Sequence, residues 1–277
     1  MSKKVKKRLV IAAVFTVLCG LSAWGFTLKP VNYSVGTKKL DKGMRIVFIS
    51  DLHNCFYGNT DNSKLINEVN KAEPDMVVFG GDIIDMWGGT EYALNLMSAL
   101  SAEYPCVYTP GNHEGMRDDT EEFYEKVRSI CPVLMGDMKE FSINGQDIRF
   151  YGVVDSVQWG KKKTQLEECI DELDDKYYNI LLLHQPEQID DCFGSDGKGF
   201  DLVLSGHAHG GQWRLPKILE QGLYAPDQGI FPKYTTGIYH IDDTTHIISR
   251  GLARPMRMIF IPRIFNRPEL SIIDINN

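Results

Sequence analysis

Residues 44–53 read MRIVFISDLH. An apolar run of strand length, Met44 to Ser50, leads without a turn signal into Asp51-Leu52-His53. Residues two apart on a strand point to the same face, so a carboxylate and an imidazole at i and i+2 can aim at one spot just past the strand's end. The same arrangement recurs along the chain. Asp75–Gly80 (DMVVFG) runs into Gly81-Asp82-Ile83-Ile84-Asp85, Pro105–Thr109 leads to Gly111-Asn112-His113-Glu114, and Asn179–Leu183 ends on His184. In Asp201–Trp213, DLVLSGHAHGGQW, the apolar run ends on Gly206 and a second i, i+2 pair comes next, His207 and His209.

Five apolar segments thus deliver oxygen or nitrogen ligands at their carboxyl ends, where open α/β sheets place their sites. Gly80, Gly81, Gly111, Gly206, Gly210 and Gly211 stand beside them, as tight turns near a ligand require. Taken singly the elements are ordinary: DxH and GD arise by chance, and a lone histidine such as His184 is more often a satisfied core residue. Five of the seven histidines sit at these junctions, however.

Between the strands the period changes to that of a helix. Ser63 can cap a segment with Leu65, Ile66, Val69 and Ala72 on one face, Tyr92–Leu100 is helical in pattern, and Thr120 can cap a helix carrying Phe123, Tyr124, Val127 and Ile130. Ile148–Val154 and Glu269–Ile275 read as further strands, and Tyr239–Arg250 as a hairpin turning at Asp242-Asp243. Alternating helix and strand predicts an α/β architecture.

Composition bounds the function. The 277 residues carry a net charge of −7, 43% hydrophobic and 24% charged side chains, which excludes a disordered chain and a polytopic membrane protein. MSKKVKKR, residues 1–8, holds five positive charges and no negative one, so the remaining body is more acidic still and lacks the basic stripe of a nucleic-acid binder. Six cysteines without a CxxC pair argue against a disulfide framework or a zinc knuckle.

After the basic cluster, Leu9–Phe26 is uncharged. The reading adopted is an uncleaved transmembrane signal-anchor at residues 1–28, with the basic end cytoplasmic and the rest on the extracytoplasmic side of the cell membrane; a cleaved signal peptide is the competing reading. Residues 29–43 read as a polar linker, and 44–277 as the catalytic domain.

The ordered set DxH, GDxxD, GNHE, H, GHxH, from about Arg45 to the C-terminus, resembles the calcineurin-like metallophosphoesterase superfamily. The stretches Gly210–Pro216, Ser249–Leu252 and Asn266–Glu269 are similar to its bacterial membrane-associated branch, which resembles enzymes that cleave UDP-diacylglucosamine or other phosphoesters. The resemblance implies a four-layer α/β/β/α sandwich and two divalent metal ions. Asp51, His53 and His209 would hold the first, Asn112, His184 and His207 the second, and Asp82 would bridge them. Imidazole and oxygen donors without thiolate suit Mn²⁺, Fe or Zn²⁺. It further implies in-line attack on a phosphodiester or pyrophosphate by a bridging hydroxide, with His113 as the general acid.

Around this set, Asp85 is expected to orient His53, or else to act as a helix N-terminal carboxylate. Gln212 and Arg214 are candidates for contact with the phosphate or headgroup, Arg214 equally for a structural ion pair. Phe56, Tyr57 and Trp87 are candidates for a pocket wall, and His240 and His246 receive no catalytic role. The substrate expected is lipid-linked or of the cell envelope, with no nucleic-acid partner. The alternatives are a tethered phosphodiesterase or nucleotidase acting on soluble substrates, and a catalytically silent metal-binding protein.

Overall fold

A strand that is apolar at every position must be covered on both faces, and the chain achieves this with two sheets packed on each other and helices outside them. The computed structural model describes residues 2–24, 27–154, 159–193, 199–254 and 263–277. One sheet contains β1 (Lys29–Gly36), β2 (Met44–Ile49), β3 (Met76–Gly80), β4 (Cys106–Thr109) and β13 (Glu269–Asn276), in the order β1-β13-β2-β3-β4. The other contains β5 (Asp137–Ile143), β6 (Gln146–Gly152), β7 (Tyr178–Leu182), β8 (Leu202–Ser205), β11 (Gly237–Ile241) and β12 (Thr244–Ile248), in the order β11-β12-β8-β7-β6-β5. In the first sheet β2, β3 and β4 are parallel; in the second β6, β7, β8 and β12 are parallel. A small antiparallel pair, β9 (Tyr224–Ala225) and β10 (Gly229–Ile230), lies in the segment between β8 and β11.

The alternation of side chains along these strands separates three cores. Ile46, Phe48, Met76 and Val78 of the first sheet meet Ile148, Phe150, Ile180, Leu182, Leu202 and Leu204 of the second in the central layer. Val47, Ile49, Val77, Phe79 and Tyr108 face the other way, onto α2 (Ser63–Ala72), α3 (Glu91–Ser101) and α5 (Thr120–Arg128). On the far side, Tyr151, Leu181, Val203 and Ile248 pack with Leu166 and Cys169 of α6 (Trp159–Asp171) and with Ile189 of the 3₁₀ helix Pro186–Cys192. Each fully buried Val, Ile or Phe contributes roughly 1.5–3 kcal/mol, so the three layers together are the main source of stability.

Several expectations are corrected here. Residues 29–36, read as linker, are β1, hydrogen-bonded in parallel with β13 over their whole length; two distant strands closing one sheet leave no signal in either alone. The N-terminal segment is a helix, α1 (Lys3–Trp24), but among the described residues no helix is long and apolar enough to cross a membrane. The helix starts inside the basic cluster, so its first turns carry charge. The strand β5 and the helix α6 were not anticipated.

The remaining polar residues follow the fold. His246, fully buried on β12, pairs Nε2 with Ser205 Oγ at 2.8 Å, and burial pushes it down to about 3, so it is a neutral core histidine, while His240 is exposed. Cys55, Cys106, Cys131, Cys169 and Cys192 are buried and outside any disulfide.

Gly80, the last residue of β3, shows how tightly the central layer is packed: a Cβ there would lie 2.2 Å from Cε2 of Phe48. Gly80→Ala should therefore cost about 1–3 kcal/mol, and Phe48→Leu in the same chain should recover part of that cost. Chemical denaturation of both single variants and the double variant is the check; strictly additive losses would rule out the steric cause.

Candidate metal centre

Because β2, β3 and β4 run parallel, as do β7 and β8, their carboxyl ends open at one edge of the sandwich. Asp51 and His53 follow β2, Asp82 follows β3, His184 follows β7, and His207 and His209 follow β8. Asn112 and His113 open the short helix α4 (Asn112–Gly115) after β4. Asp51, His53, Asp82, His184, His207 and His209 are all buried, with no more than 4% exposure.

These side chains do not leave regular strands. Asp51, His53, Asp82, His207 and His209 all have positive φ, between 46° and 64°, a left-handed conformation that is costly for residues with a Cβ. The premise that His207 and His209 share a strand face is thereby corrected: Gly206 ends the strand, His209 opens a 3₁₀ turn, and the two rings diverge to different partners. The turns interlock through the backbone. The N–H groups of Asp51, His53 and Asn54 donate to the carbonyls of Gly81, Asp82 and Ile83 at 2.8–3.0 Å. Asp51 Oδ1 accepts the N–H of His207 at 2.9 Å, and Asp82 Oδ1 that of His113 at 2.9 Å, so each carboxylate ties one ligand turn to another. The close approach excludes side chains: a Cβ on Gly206 would stand 2.4 Å from Asp51 Oδ2, and one on Gly81 2.6 Å from His184 Nδ1.

Four overlapping groups result among the described residues, Asp51–His53–His209, His53–Asp82–His113, Asp82–His184–His207 and, at the more exposed side, Glu187–His207–Asp227, each with one ligand atom per residue within 4.8 Å of the others. Asp82 Oδ2 lies 3.1 Å from His184 Nε2 and 3.8 Å from both His53 Nε2 and His113 Nε2. Asn112 directly precedes His113, and its buried Oδ1 has no hydrogen-bond partner among the described residues; the same holds for Asp51 Oδ2, His53 Nε2 and His209 Nδ1.

The protonation pattern explains why these atoms converge. Nδ1 of His184 donates to the Gly80 carbonyl at 2.8 Å, which in the neutral ring turns the lone pair of Nε2 towards Asp82. Burial, and repulsion from His113, push His53 down to about 4, and burial likewise holds His209 far below its usual range. Both rings are neutral near pH 7 and present lone pairs, as metal ligation requires. Burial alone would raise Asp82, but the surrounding imidazoles outweigh it and hold the carboxylate well below its usual range. Buried carboxylate oxygens facing imidazole lone pairs repel one another unless cations lie between them, and the oxygen and nitrogen donors fit borderline divalent ions. The residues can hold metal.

Other expected residues fall elsewhere. Asp85 pairs with His113, Nδ1 to Oδ1 at 3.0 Å, in place of the expected bond to His53. Gln212 is buried at 1% exposure, its carbonyl bound by Asn266 Nδ2, and so lies inside the turn. Arg214 donates to the Gly210 carbonyl at 3.0 Å. Tyr57 is core and bonds the Leu252 carbonyl, Phe56 stacks edge-on against Tyr92, and Trp87 is 77% exposed.

Four contributors were not anticipated. Glu114, fully buried, accepts the N–H groups of Asp82, Ile83, Ile84 and Gly111 at 2.7–3.2 Å, clamping the GDxxD turn to the GNHE turn. Burial and the charge of Asp82 push it up to about 7. Arg117 donates to the carbonyls of Asp85 and Gly88, Asp227 Oδ2 lies 2.8 Å from His207 Nε2, and buried Arg263 donates to the carbonyls of Arg250 and Gly251. Only Glu114 carries a sequence signal, its place in GNHE.

Glu114→Gln would set an amide N–H₂ against backbone donors. It should lower stability by about 2–4 kcal/mol and reduce metal retained on gel filtration. An unchanged denaturation midpoint with full metal content would dismiss the clamp.

Comparison with known proteins agrees with this picture. The model of the calcineurin-like phosphoesterase family matches residues 44–211. The uncharacterized protein YpbG of Bacillus subtilis is 30% identical over 250 residues, 87% of this chain and 86% of that one. The uncharacterized metallophosphoesterase YkuE of the same organism is 27% identical over 242 residues, 85% of this chain and 80% of that one. Among solved structures, TT1561 of Thermus thermophilus is similar with a TM-score of 0.47 at 13% identity, covering 74% of this chain and 88% of that chain. The matched span contains every residue of the buried cluster, from Asp51 to His209, and the chain belongs to the calcineurin-like phosphoesterase family as a phosphoester hydrolase.

Proposed function

We propose that the chain hydrolyses a phosphodiester or pyrophosphate bond, with Asp51, His53 and His209 holding one divalent ion, Asn112, His184 and His207 a second, and Asp82 shared between them. The observation that carries this reading is the set of buried donor atoms without hydrogen-bond partners among the described residues, Asp51 Oδ2, His53 Nε2, Asn112 Oδ1 and His209 Nδ1, together with the overlapping Asp and His groups that meet at His53 and Asp82. When bound, a pair of such ions supplies a water of lowered pKa and charge compensation for phosphoryl oxygens in in-line displacement. The chain's part is to hold the donors without rearrangement, which the interlocked turns and the Glu114 clamp accomplish.

His113 is the proposed proton donor to the leaving oxygen. Its Nδ1 is fixed by Asp85, leaving Nε2 directed at the centre, 3.8 Å from Asp82 Oδ2. In the metal-free chain burial alone would lower its affinity for a proton, but Asp82 and Asp85 outweigh this and raise it to about 9, the direction that favours the protonated ring a general acid needs. Asp85 is held below its usual range by the same contact.

A lipid-linked or envelope phosphoester is the substrate class we favour, supported by the five cations of residues 1–8 followed by an uncharged run, a combination that attracts anionic lipid surfaces. The primary experiment is hydrolysis by the metal-loaded full chain of glycerophospholipids, nucleotide-linked lipids and soluble nucleotides, with metal content measured alongside. Turnover with Mn²⁺ or Zn²⁺ that chelator abolishes is expected, lipid-linked esters being preferred. Cleavage of none of these by fully loaded protein would refute the hydrolytic reading, and preference for nucleotides the lipid-linked one.

His113→Ala should retain metal and lose about 10²–10⁴-fold in turnover on poor leaving groups, with a much smaller loss on p-nitrophenyl esters; equal losses on both would remove the acid role. His113 must be protonated to act, so activity declines as pH rises through its pKa. Asp85→Asn removes the anion that stabilises the imidazolium, and should move that basic limb of the rate profile to lower pH by about one unit.

A further inference from the structure

Away from the convergent donors, four cations from separate stretches of the chain meet. Lys29, Arg214, Arg250 and Arg267 line one cleft of about 260 Å³, with Glu220, Pro216 and Phe265 completing its walls. In a chain with net charge −7 such a concentration of positive charge needs a physical account: four cations stand here against two carboxylates, Glu220 in the cleft wall and Glu269 beside Arg250. Glu269 approaches Arg250 Nε at 3.3 Å, yet the same carboxylate also accepts hydrogen bonds from Tyr33 Oη at 2.6 Å and Ser271 Oγ at 2.8 Å.

The cations are held in place. Arg267 donates to the carbonyls of Thr27 and Leu28, Arg250 to Thr236 Oγ1 at 3.1 Å, and Arg214 to the Gly210 carbonyl. Burial and the charge of Arg250 push Arg214 down to about 10, although Glu269 and Glu220 act in the opposite direction. Close to Arg214 and Pro216 in sequence, Trp213, Leu215 and Ile218 are 40%, 45% and 83% exposed.

We propose that the cleft between Lys29, Arg214, Arg250 and Arg267 is an anion site that binds a phosphate group, carried either on a soluble molecule or on a lipid headgroup. Fixed guanidinium forks match phosphate oxygens in pairs of parallel N–H···O bonds, and Lys29 adds a mobile charge at the edge. This assignment is independent of the hydrolytic reading, since none of the four cations belongs to the donor set around Asp82.

The test uses the full-length chain, metal-loaded and after chelation, in two arms. One is calorimetric titration with inorganic phosphate; the other is co-flotation with phosphatidylcholine vesicles containing phosphatidylglycerol, against vesicles of phosphatidylcholine alone. Lys29→Ala, at an exposed position, and Arg214→Gln are compared with the wild type, with thermal midpoints confirming their fold. A weakening of about tenfold or more in both variants, with and without chelator, is expected in at least one arm: the phosphate arm identifies a soluble ligand, the vesicle arm a headgroup. Variants that bind phosphate and anionic vesicles as the wild type does overturn the proposal, whatever the outcome of hydrolysis assays.

Discussion

Two fully buried carboxylates, Asp51 and Asp82, set among imidazoles of which His53 and His209 are neutral, fix the terms for the rest of this structure. A carboxylate removed from water is tolerated only with compensating charge and hydrogen bonds. Here the backbone supplies part of the compensation, the N–H of His207 to Asp51 and that of His113 to Asp82. The remaining oxygens and ring nitrogens face inward together, so the arrangement is self-consistent with cations between them and repulsive without. The fold is in this sense a frame that forces like-disposed donors to share one small volume.

The frame achieves this with two sheets in place of one. Strands of both sheets end at the same edge, and β2, β3 and β8 pass into turns with left-handed residues, which carry Asp51, His53, Asp82, His207 and His209. Strain of this kind persists only where the surroundings over-determine it. The surroundings are Glu114, with its four backbone bonds across two turns, and the glycines against which Asp51 and His184 pack. Local destabilisation at the turns is offset by the three apolar layers beneath them.

The same edge carries a graded electrostatic environment. His113, less buried than the other rings, keeps a proton through Asp82 and Asp85, while His53 and His209 give theirs up to burial. Chemically identical side chains are thus divided between donors of protons and donors of lone pairs by a few ångströms of depth and by which carboxylate stands nearest. After the turn at His209, the basic cleft around Arg214 has the opposite character to the acidic body of the chain.

What the sequence by itself determined was the identity and order of the polar groups at the strand ends, because apolar runs terminating in Asp, His or Asn are visible without any long-range information. That reading extended to β2, β3, β4, β7, β8 and the closing β13 within a residue or two, and to α2, α3 and α5. What only the tertiary structure decided was how distant segments pair. β1 looked like linker because its partner lies more than two hundred residues away, and a strand edge paired across such a separation has no local signature. Asp85 stands on His113 and not on His53, His207 and His209 part to different partners, and Glu114 grips four N–H groups. Each of these depends on backbone dihedrals and on which turn abuts which, quantities that spacing along the chain does not encode. Four cations from residues 29, 214, 250 and 267 became one cleft for the same reason: charge is read residue by residue, but a site exists only where folding brings the residues within reach of one ligand.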